Sequence, residues 1–174
     1  MPNKDAIVYY DKIVPDAFHG TSDANAGLIL KQNSFRSGNN ERSYLGDGVY
    51  FFESSIEEAR KWATGRFKDE KICVLRATLH LGKCLNLQEF EHQKLVFEVK
   101  EKLLKLDIKE EELTDALLIN FFARQFDIDS VKAIIVKDRL ETFFKGSKFF
   151  RHIQVIICMK NMSRIQDIEK IRIN

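Results

Sequence analysis

Two short segments of the sequence carry residue types that suit a ligand-binding site. The first is His19-Gly20-Thr21, where a glycine between two polar residues would let a ligand approach the backbone closely. The second runs from Tyr44 to Phe51, where Gly46 and Gly48 precede an aromatic, strand-like run. These two segments form the candidate site, and the remaining elements must position them.

Other common site motifs are absent from the sequence. It has no GxGxxG segment after a predicted strand and no GxxxxGK(S/T) segment, so neither of these glycine-rich phosphate cradles is predicted. It also has no GxSxG and no HExxH, which leaves serine acyl transfer and metal hydrolysis without support. Cys73, Cys84 and Cys158 are odd in number and lack CxxC spacing, so we expect neither a disulfide framework nor a metal site.

The composition is typical of one folded domain spanning residues 1–174. The chain is 44% hydrophobic and contains 14 phenylalanines, which excludes intrinsic disorder. No apolar run approaches the roughly 18 residues that a membrane helix needs, and the charged N-terminus lacks the apolar core of a secretory leader. We therefore expect a cytoplasmic protein with reduced thiols.

The predicted elements alternate irregularly between strands and helices. Ser22 is a good N-cap for a helix over Asp23–Gln32, and Ser55-Ile56-Glu57-Glu58 has the S-x-x-E form of a capping box. Helical periodicity over about residues 88–127 predicts a helical insertion. Strands are expected at Ala6–Tyr10, up to His19-Gly20-Thr21, and at Gly48–Phe52, Ile72–Leu79, Val131–Val136 and Ile153–Met159. This order favours an α+β domain with mostly antiparallel pairing.

Charge is distributed unevenly behind the net value of +2. Residues 1–87, 88–131 and 132–174 carry +1, −5 and +6 respectively. In the basic third, Lys145, Lys148 and Arg151 are interleaved with phenylalanines just before a predicted strand. Such a segment can track phosphates and stack on the bases of a single-stranded nucleic acid. The alternative is that the lysines are merely solvated and the phenylalanines belong to the core.

The two candidate segments resemble motifs of a known family. His19-Gly20-Thr21 and Gly46-Asp47-Gly48-Val49-Tyr50-Phe51 stand in the same order as in the ADP-ribosyltransferases of the poly(ADP-ribose) polymerase and diphtheria-toxin type. The second segment is also similar to bacterial toxins of phage-defence toxin–antitoxin systems. This resemblance covers about residues 18–64 and implies split antiparallel β-sheets with flanking helices.

The resemblance also implies a co-substrate and residue roles. NAD would be the co-substrate, and no metal would be needed. His19 would bind the adenosine ribose, the backbone of Gly20 would pair with the nicotinamide amide, and Tyr50 would stack on the nicotinamide ring. The implied NAD-binding residues are His19, Gly20, Thr21, Tyr44, Gly48, Tyr50 and Trp62, although Trp62 lies one position beyond the family's second aromatic residue.

The sequence departs from the family at the third signature position. Relatives carry a glutamate on a late strand, whereas Gln154 stands at the matching place here, which gives a triad of His19, Tyr50 and Gln154. Glutamine can hydrogen-bond a ribose hydroxyl but cannot accept a proton. This favours a single transfer over chain elongation. Glu53 and Glu141 remain rival carboxylates.

The resemblance therefore predicts a mono-ADP-ribosyltransferase that modifies a macromolecule. RNA or single-stranded DNA is favoured over protein, with Lys145, Lys148 and Arg151 as the acceptor-binding residues. A toxin role, with an antitoxin partner, is implied by the resemblance alone. An RNA 2′-phosphotransferase, an NAD glycohydrolase and a non-catalytic NAD- or ADP-ribose-binding module stay open as alternatives.

Overall fold

The computed structural model describes residues 12–38, 43–106, 108–136, 143–145, 147–148 and 153–172. These residues form a mixed α/β structure with four α-helices and one seven-stranded sheet. In chain order the elements are β1 (Ile13–Ser22), α1 (Asp23–Gln32), β2 (Val49–Glu53), α2 (Ile56–Arg66), β3 (Ile72–His80), β4 (Cys84–Asn86), α3 (Phe90–Leu104), α4 (Asp115–Phe126), β5 (Ser130–Val136), β6 (Ile153–Met159) and β7 (Ile165–Ile171).

The predicted helices are confirmed. α1 has the expected bounds, and the Ser22 hydroxyl accepts the Asn25 N–H at 3.3 Å. α2 follows Ser55, whose hydroxyl accepts the Glu58 N–H at 3.3 Å. The helical insertion comprises α3 and α4, which lie between β4 and β5. Side-chain caps of this kind satisfy backbone donors that the first helical turn leaves unpaired.

Several strands differ from the sequence-based prediction. β1 ends at Ser22, one residue beyond the predicted end at His19-Gly20-Thr21. Its pairing with β3 shifts register between Val14 and Ala17, the stretch that contains Pro15, because proline has no N–H to donate to the ladder. The short strand β4 was not predicted, and the strand expected at Ala6–Tyr10 lies outside the described residues.

The strand order is β4-β5-β6-β2-β1-β3-β7, with β4 and β5 parallel and the other neighbours antiparallel. Within the described residues, β1 and β2 pair at two positions, Ala17 with Glu53 and Phe18 with Phe52. Beyond Phe18, β1 pairs with β3, while β2 pairs with β6 back to Val49. The resemblance implied split sheets, whereas the described strands form one continuous sheet in which β1 and β2 join over two residue pairs.

Each face of the sheet is covered by its own apolar cluster. On one face, Val99 and Leu103 of α3 and Phe122 and Phe126 of α4 pack with residues of the central strands. On the other face, Ala26 of α1 packs with strand residues. All three cysteines are buried and none forms a disulfide. No helix among the described residues is long and apolar enough to cross a membrane.

Candidate functional site

A cavity of about 830 Å³ opens where β1 and β2 separate. Its volume lies within the range of roughly 300–1,000 Å³ that is typical of small-molecule sites. α1 and the loop after it form one wall, and β2, β6 and α2 contribute to the others. The cavity lining includes every predicted NAD-binding residue together with the third triad residue: His19, Gly20, Thr21, Tyr44, Gly48, Tyr50, Trp62 and Gln154.

His19 bridges the gap between the two separating strands. Its Nδ1 lies 2.8 Å from the backbone carbonyl oxygen of Tyr50, and its ring contacts the rings of Phe35 and Phe51. Since a carbonyl oxygen only accepts hydrogen bonds, Nδ1 carries the hydrogen. Burial lowers the pKa of His19 below its ordinary 6.5, and the bond to Tyr50 opposes this shift more weakly. The ring is therefore neutral at pH 7, with Nε2 as an acceptor.

The hydroxyl of Tyr50 is used within the protein. It accepts the Leu45 N–H at 2.9 Å and donates to the Gly46 carbonyl oxygen at 2.7 Å. Burial is the main cause of a strongly raised pKa for this phenol, which therefore keeps its proton. Because the hydroxyl holds the turn at 45–46, the part of Tyr50 that can serve a ligand is its ring.

The glycine loop before Tyr50 is fastened from two sides. The Lys160 ammonium donates to the carbonyl oxygens of Leu45 at 2.6 Å and Asp47 at 2.5 Å, and burial lowers the pKa of this lysine. On the other side, Asn120 of α4 accepts the Asp47 N–H at 2.8 Å. The helical insertion thus fixes one wall of the cavity from a distance of more than 70 positions in the chain.

Both glycines of this loop are required by local packing. Gly46 has φ +72°, and a Cβ there would collide with the Asn120 side chain. Gly48 has φ +148°, and a Cβ would lie 2.5 Å from the Met159 carbonyl oxygen on β6. These backbone conformations favour glycine, so the motif is needed to build the loop as well as to admit a ligand.

Gly20 lies under α2. A Cβ at this position would collide with the carbonyl oxygen of Ala59, so the absence of a side chain lets α2 pack directly on β1. Gly20 and its neighbour Thr21 also line the cavity. From the sequence, Gly20 was predicted only to give a ligand access to the backbone, and its contact with α2 was not predicted.

Gln154 is 5% exposed, lines the cavity, and donates through Nε2 to the Glu58 carboxylate on α2. Glu58 was interpreted from the sequence only as the last residue of a capping box. Its side chain has a second role, since one oxygen accepts from Gln154 and the other lies 3.3 Å from the Lys61 ammonium. Nothing in the chain spacing signals this contact, because 96 positions separate the two residues.

The remaining candidates lie at the rim or away from the cavity. Tyr44 and Trp62 line it with exposed side chains, and the Trp62 ring also contacts Phe67. Glu53 does not line the cavity and forms an ion pair at 2.5 Å with buried Lys132. The rival carboxylate Glu141 lies outside the described residues.

The predicted acceptor-binding lysines, Lys145 and Lys148, are exposed and do not line the cavity. Arg151 lies outside the described residues. In the part of the chain that the structure describes, no group of three or more His, Cys, Asp or Glu side chains could hold a metal ion.

Comparison with known proteins gives a distant similarity. The chain is 25% identical to an uncharacterized protein of the archaeon Methanocaldococcus jannaschii over an alignment of 185 positions, which covers 87% of this chain and 85% of that protein. No protein-family model and no solved structure matches the chain.

Proposed function

We propose that the protein is an NAD-dependent mono-ADP-ribosyltransferase with an ADP-ribosyltransferase-like fold. The observation that supports this most strongly is the convergence of His19, Tyr50 and Gln154 on one cavity of about 830 Å³. They come from three strands, β1, β2 and β6, and are the three residues that the family resemblance selects. The divergence of β1 from β2 beside this cavity fits the split sheet of that fold.

The groups that line the cavity suit two parts of NAD, the nicotinamide ring with its amide and the adenosine ribose. Neutral His19 offers Nε2 as an acceptor for a ribose hydroxyl. Gly20 lies on β1 beyond the last position paired with β2, so its peptide groups border the cavity and can bind the nicotinamide amide. The Tyr50 ring, held by its hydroxyl, provides a fixed face for stacking.

In the proposed reaction, the bond between the nicotinamide nitrogen and ribose C1′ breaks, and its electron pair leaves with nicotinamide. The ribose passes through an oxocarbenium-like state, and a nucleophile of the acceptor forms a new bond to C1′ and loses its proton to solvent. Gln154 holds a ribose hydroxyl but takes no proton. The acceptor therefore supplies its own nucleophile, which favours one transfer. The protein's contribution is to hold the reacting groups together and to limit access of water.

A nucleic acid, RNA or single-stranded DNA, is the favoured acceptor, and protein is the second candidate. Phe143 and Phe144 are 65% and 68% exposed, and they precede exposed Lys145 and Lys148. This segment comes before β6, the strand that carries Gln154. Exposed aromatic rings beside cations suit a single strand, because the rings stack on bases while the cations contact phosphates.

Incubation of the purified protein with NAD labelled in its adenylate half, together with total cell extract, tests the proposal. Label that RNase or DNase removes supports a nucleic-acid acceptor, and label that protease removes supports a protein acceptor. Free ADP-ribose as the sole product would instead identify an NAD glycohydrolase. NAD binding without any turnover would favour the non-catalytic module, the alternative that the replacement of glutamate by Gln154 suggests.

The toxin role that the resemblance implies is tested by regulated expression. We expect expression of the wild-type protein to arrest the growth of a bacterial host, because modified nucleic acid or protein would accumulate without an antitoxin. His19→Ala, which removes the acceptor atom for the ribose, should relieve the arrest at equal expression. Equal arrest by both proteins would separate the toxicity from NAD chemistry.

A further inference from the structure

We propose that Glu58 is a positioning residue that sets the orientation of the Gln154 amide in the cavity. This inference rests on the proposed NAD site and deepens it. Gln154 stands where the resemblance leads us to expect a glutamate, and Glu58 on helix α2 supplies a carboxylate that orients the Gln154 amide. Glu58 acts through Gln154 and does not itself line the cavity.

The contact joins two rigid elements. Gln154 lies on β6, where it pairs with Ile135 of β5, and its side chain is 5% exposed. Glu58 lies in the first turn of α2, directly before Ala59, whose carbonyl oxygen lies against Gly20 of β1. Because the packing of α2 against Gly20 leaves no room for a side chain, the backbone that carries Glu58 is held close to β1.

The chemistry of the pair fixes which end of the amide serves a ligand. An ionised carboxylate can only accept hydrogen bonds, so it accepts from Nε2 and leaves Oε1 as the free acceptor end of the amide. An unrestrained glutamine could present either its oxygen or its NH₂ group. A hydrogen bond to a charged group also polarises the amide and makes Oε1 a better acceptor for a ribose hydroxyl.

The carboxylate is itself supported on its other side. The second Glu58 oxygen lies 3.3 Å from the Lys61 ammonium, one helical turn further along α2. The N-terminal turn of a helix also favours a negative charge. Gln154 held in this way offers the same acceptor function toward a hydroxyl as an ionised glutamate, but it carries no charge and takes no proton.

Three variants test the assignment by NAD affinity and by kcat/KM for NAD cleavage. Glu58→Ala should lower both by about tenfold or more, since the amide loses its charged partner. Glu57→Ala is the matched control, because Glu57 is exposed on the same turn and pairs with Arg60. Glu58→Gln should retain more activity than Glu58→Ala, because its amide oxygen can still accept from Nε2.

An exchange of the two side chains provides a second test. Gln154→Glu alone would bring two carboxylates into contact, and we expect it to weaken NAD binding. Glu58→Gln combined with Gln154→Glu restores an amide donating to a carboxylate, and it should recover affinity lost in the single variant. A double variant no better than Gln154→Glu, or a Glu58→Ala protein equal to Glu57→Ala, would overturn the proposal.

The side-chain amide resonances of Gln154 give a readout that does not need NAD. In the wild type and in Glu57→Ala, these protons should exchange slowly with water, and in Glu58→Ala they should exchange faster. If this difference is seen and NAD is bound but never cleaved, the transferase function fails while the positioning role stands. If the wild type cleaves NAD and Glu58→Ala changes neither exchange nor affinity, the positioning role fails alone. Absence of any NAD binding overturns both.

Discussion

His19 Nδ1 donates to the Tyr50 carbonyl oxygen at 2.8 Å, just beyond the last backbone pairing of β1 with β2. A side chain thereby replaces a strand ladder and spans the gap where the two strands diverge. The same bond determines the tautomer and leaves Nε2 for a ligand. One hydrogen bond thus links the two strands where their backbone pairing stops and leaves an acceptor atom for the cavity.

The first prediction concerns the pH dependence of NAD binding. Protonation of His19 would place a hydrogen on Nε2 and remove its acceptor capacity, so NAD affinity should fall once the pH drops through the lowered pKa of His19, below 6.5. Titration of NAD at several pH values measures this, with the ¹⁵N shift of Nε2 as a direct report on the ring. His80→Ala is the control, because His80 lies on β3 and does not line the cavity. It should leave the pH dependence of NAD affinity unaltered. A profile without any decline below pH 6.5 would contradict the assigned role.

His19 also makes the free energy of unfolding depend on pH. Because the folded state lowers the pKa of His19, the unfolded chain binds a proton more readily than the folded chain. The contribution of His19 to the free energy of unfolding is therefore complete above pH 6.5 and declines as the pH falls. Urea unfolding of the wild type and of His19→Gln at a series of pH values should show a smaller decline for the variant. Identical slopes would show that His19 is not the group responsible.

The Tyr50 ring and hydroxyl can be separated by substitution. Tyr50→Phe should lower the free energy of unfolding by about 1–3 kcal/mol, since it leaves the Leu45 N–H and the Gly46 carbonyl without their partner. It should retain much of the NAD affinity, because the ring remains. Tyr50→Leu should lower both the free energy of unfolding and the NAD affinity, because it removes the hydroxyl and the aromatic ring. Chemical denaturation and NAD titration of the two variants measure these effects, and equal affinity in both would exclude stacking on Tyr50.

The role of Tyr50 could be predicted only in part from the sequence. The resemblance implied that His19, Tyr50 and Gln154 would serve one site, and all three line the same cavity. The hydrogen bonds of Tyr50 to the turn at 45–46 were not predictable, because they depend on how the glycine loop folds back on its own strand. A Tyr50→Ala change should therefore destabilise the fold as well as remove the stacking ring.

The elements were more predictable than the contacts between them. The starts of α1 and α2 follow from local caps at Ser22 and Ser55, which act within three residues. β4 was missed because three residues carry too little periodicity to signal a strand. The contact of Glu58 with Gln154 arises only when α2 packs across the sheet, so no local pattern encodes it.

Gly20 offers a test of the helix–strand contact. Gly20→Ala should lower the free energy of unfolding by about 1–3 kcal/mol, because its methyl group collides with the Ala59 carbonyl. Gly65→Ala in α2 and Gly27→Ala in α1 are matched controls, since a Cβ at either position meets nothing within 4 Å. Both should stabilise the protein by about 0.5–1 kcal/mol, the usual gain from replacing a helical glycine with alanine. A stable Gly20→Ala protein would contradict this packing.

The last prediction concerns acceptor choice. Lys145→Ala with Lys148→Ala should reduce labelling of a nucleic-acid acceptor and weaken its dependence on salt, because fewer phosphates would be neutralised. NAD affinity should be unchanged, since neither lysine lines the cavity. Lys68→Ala with Lys71→Ala removes two exposed charges elsewhere and serves as the matched control. If NAD affinity fell in the first pair, the segment would belong to the NAD site. If both pairs reduced labelling equally, general charge rather than this segment would attract the acceptor.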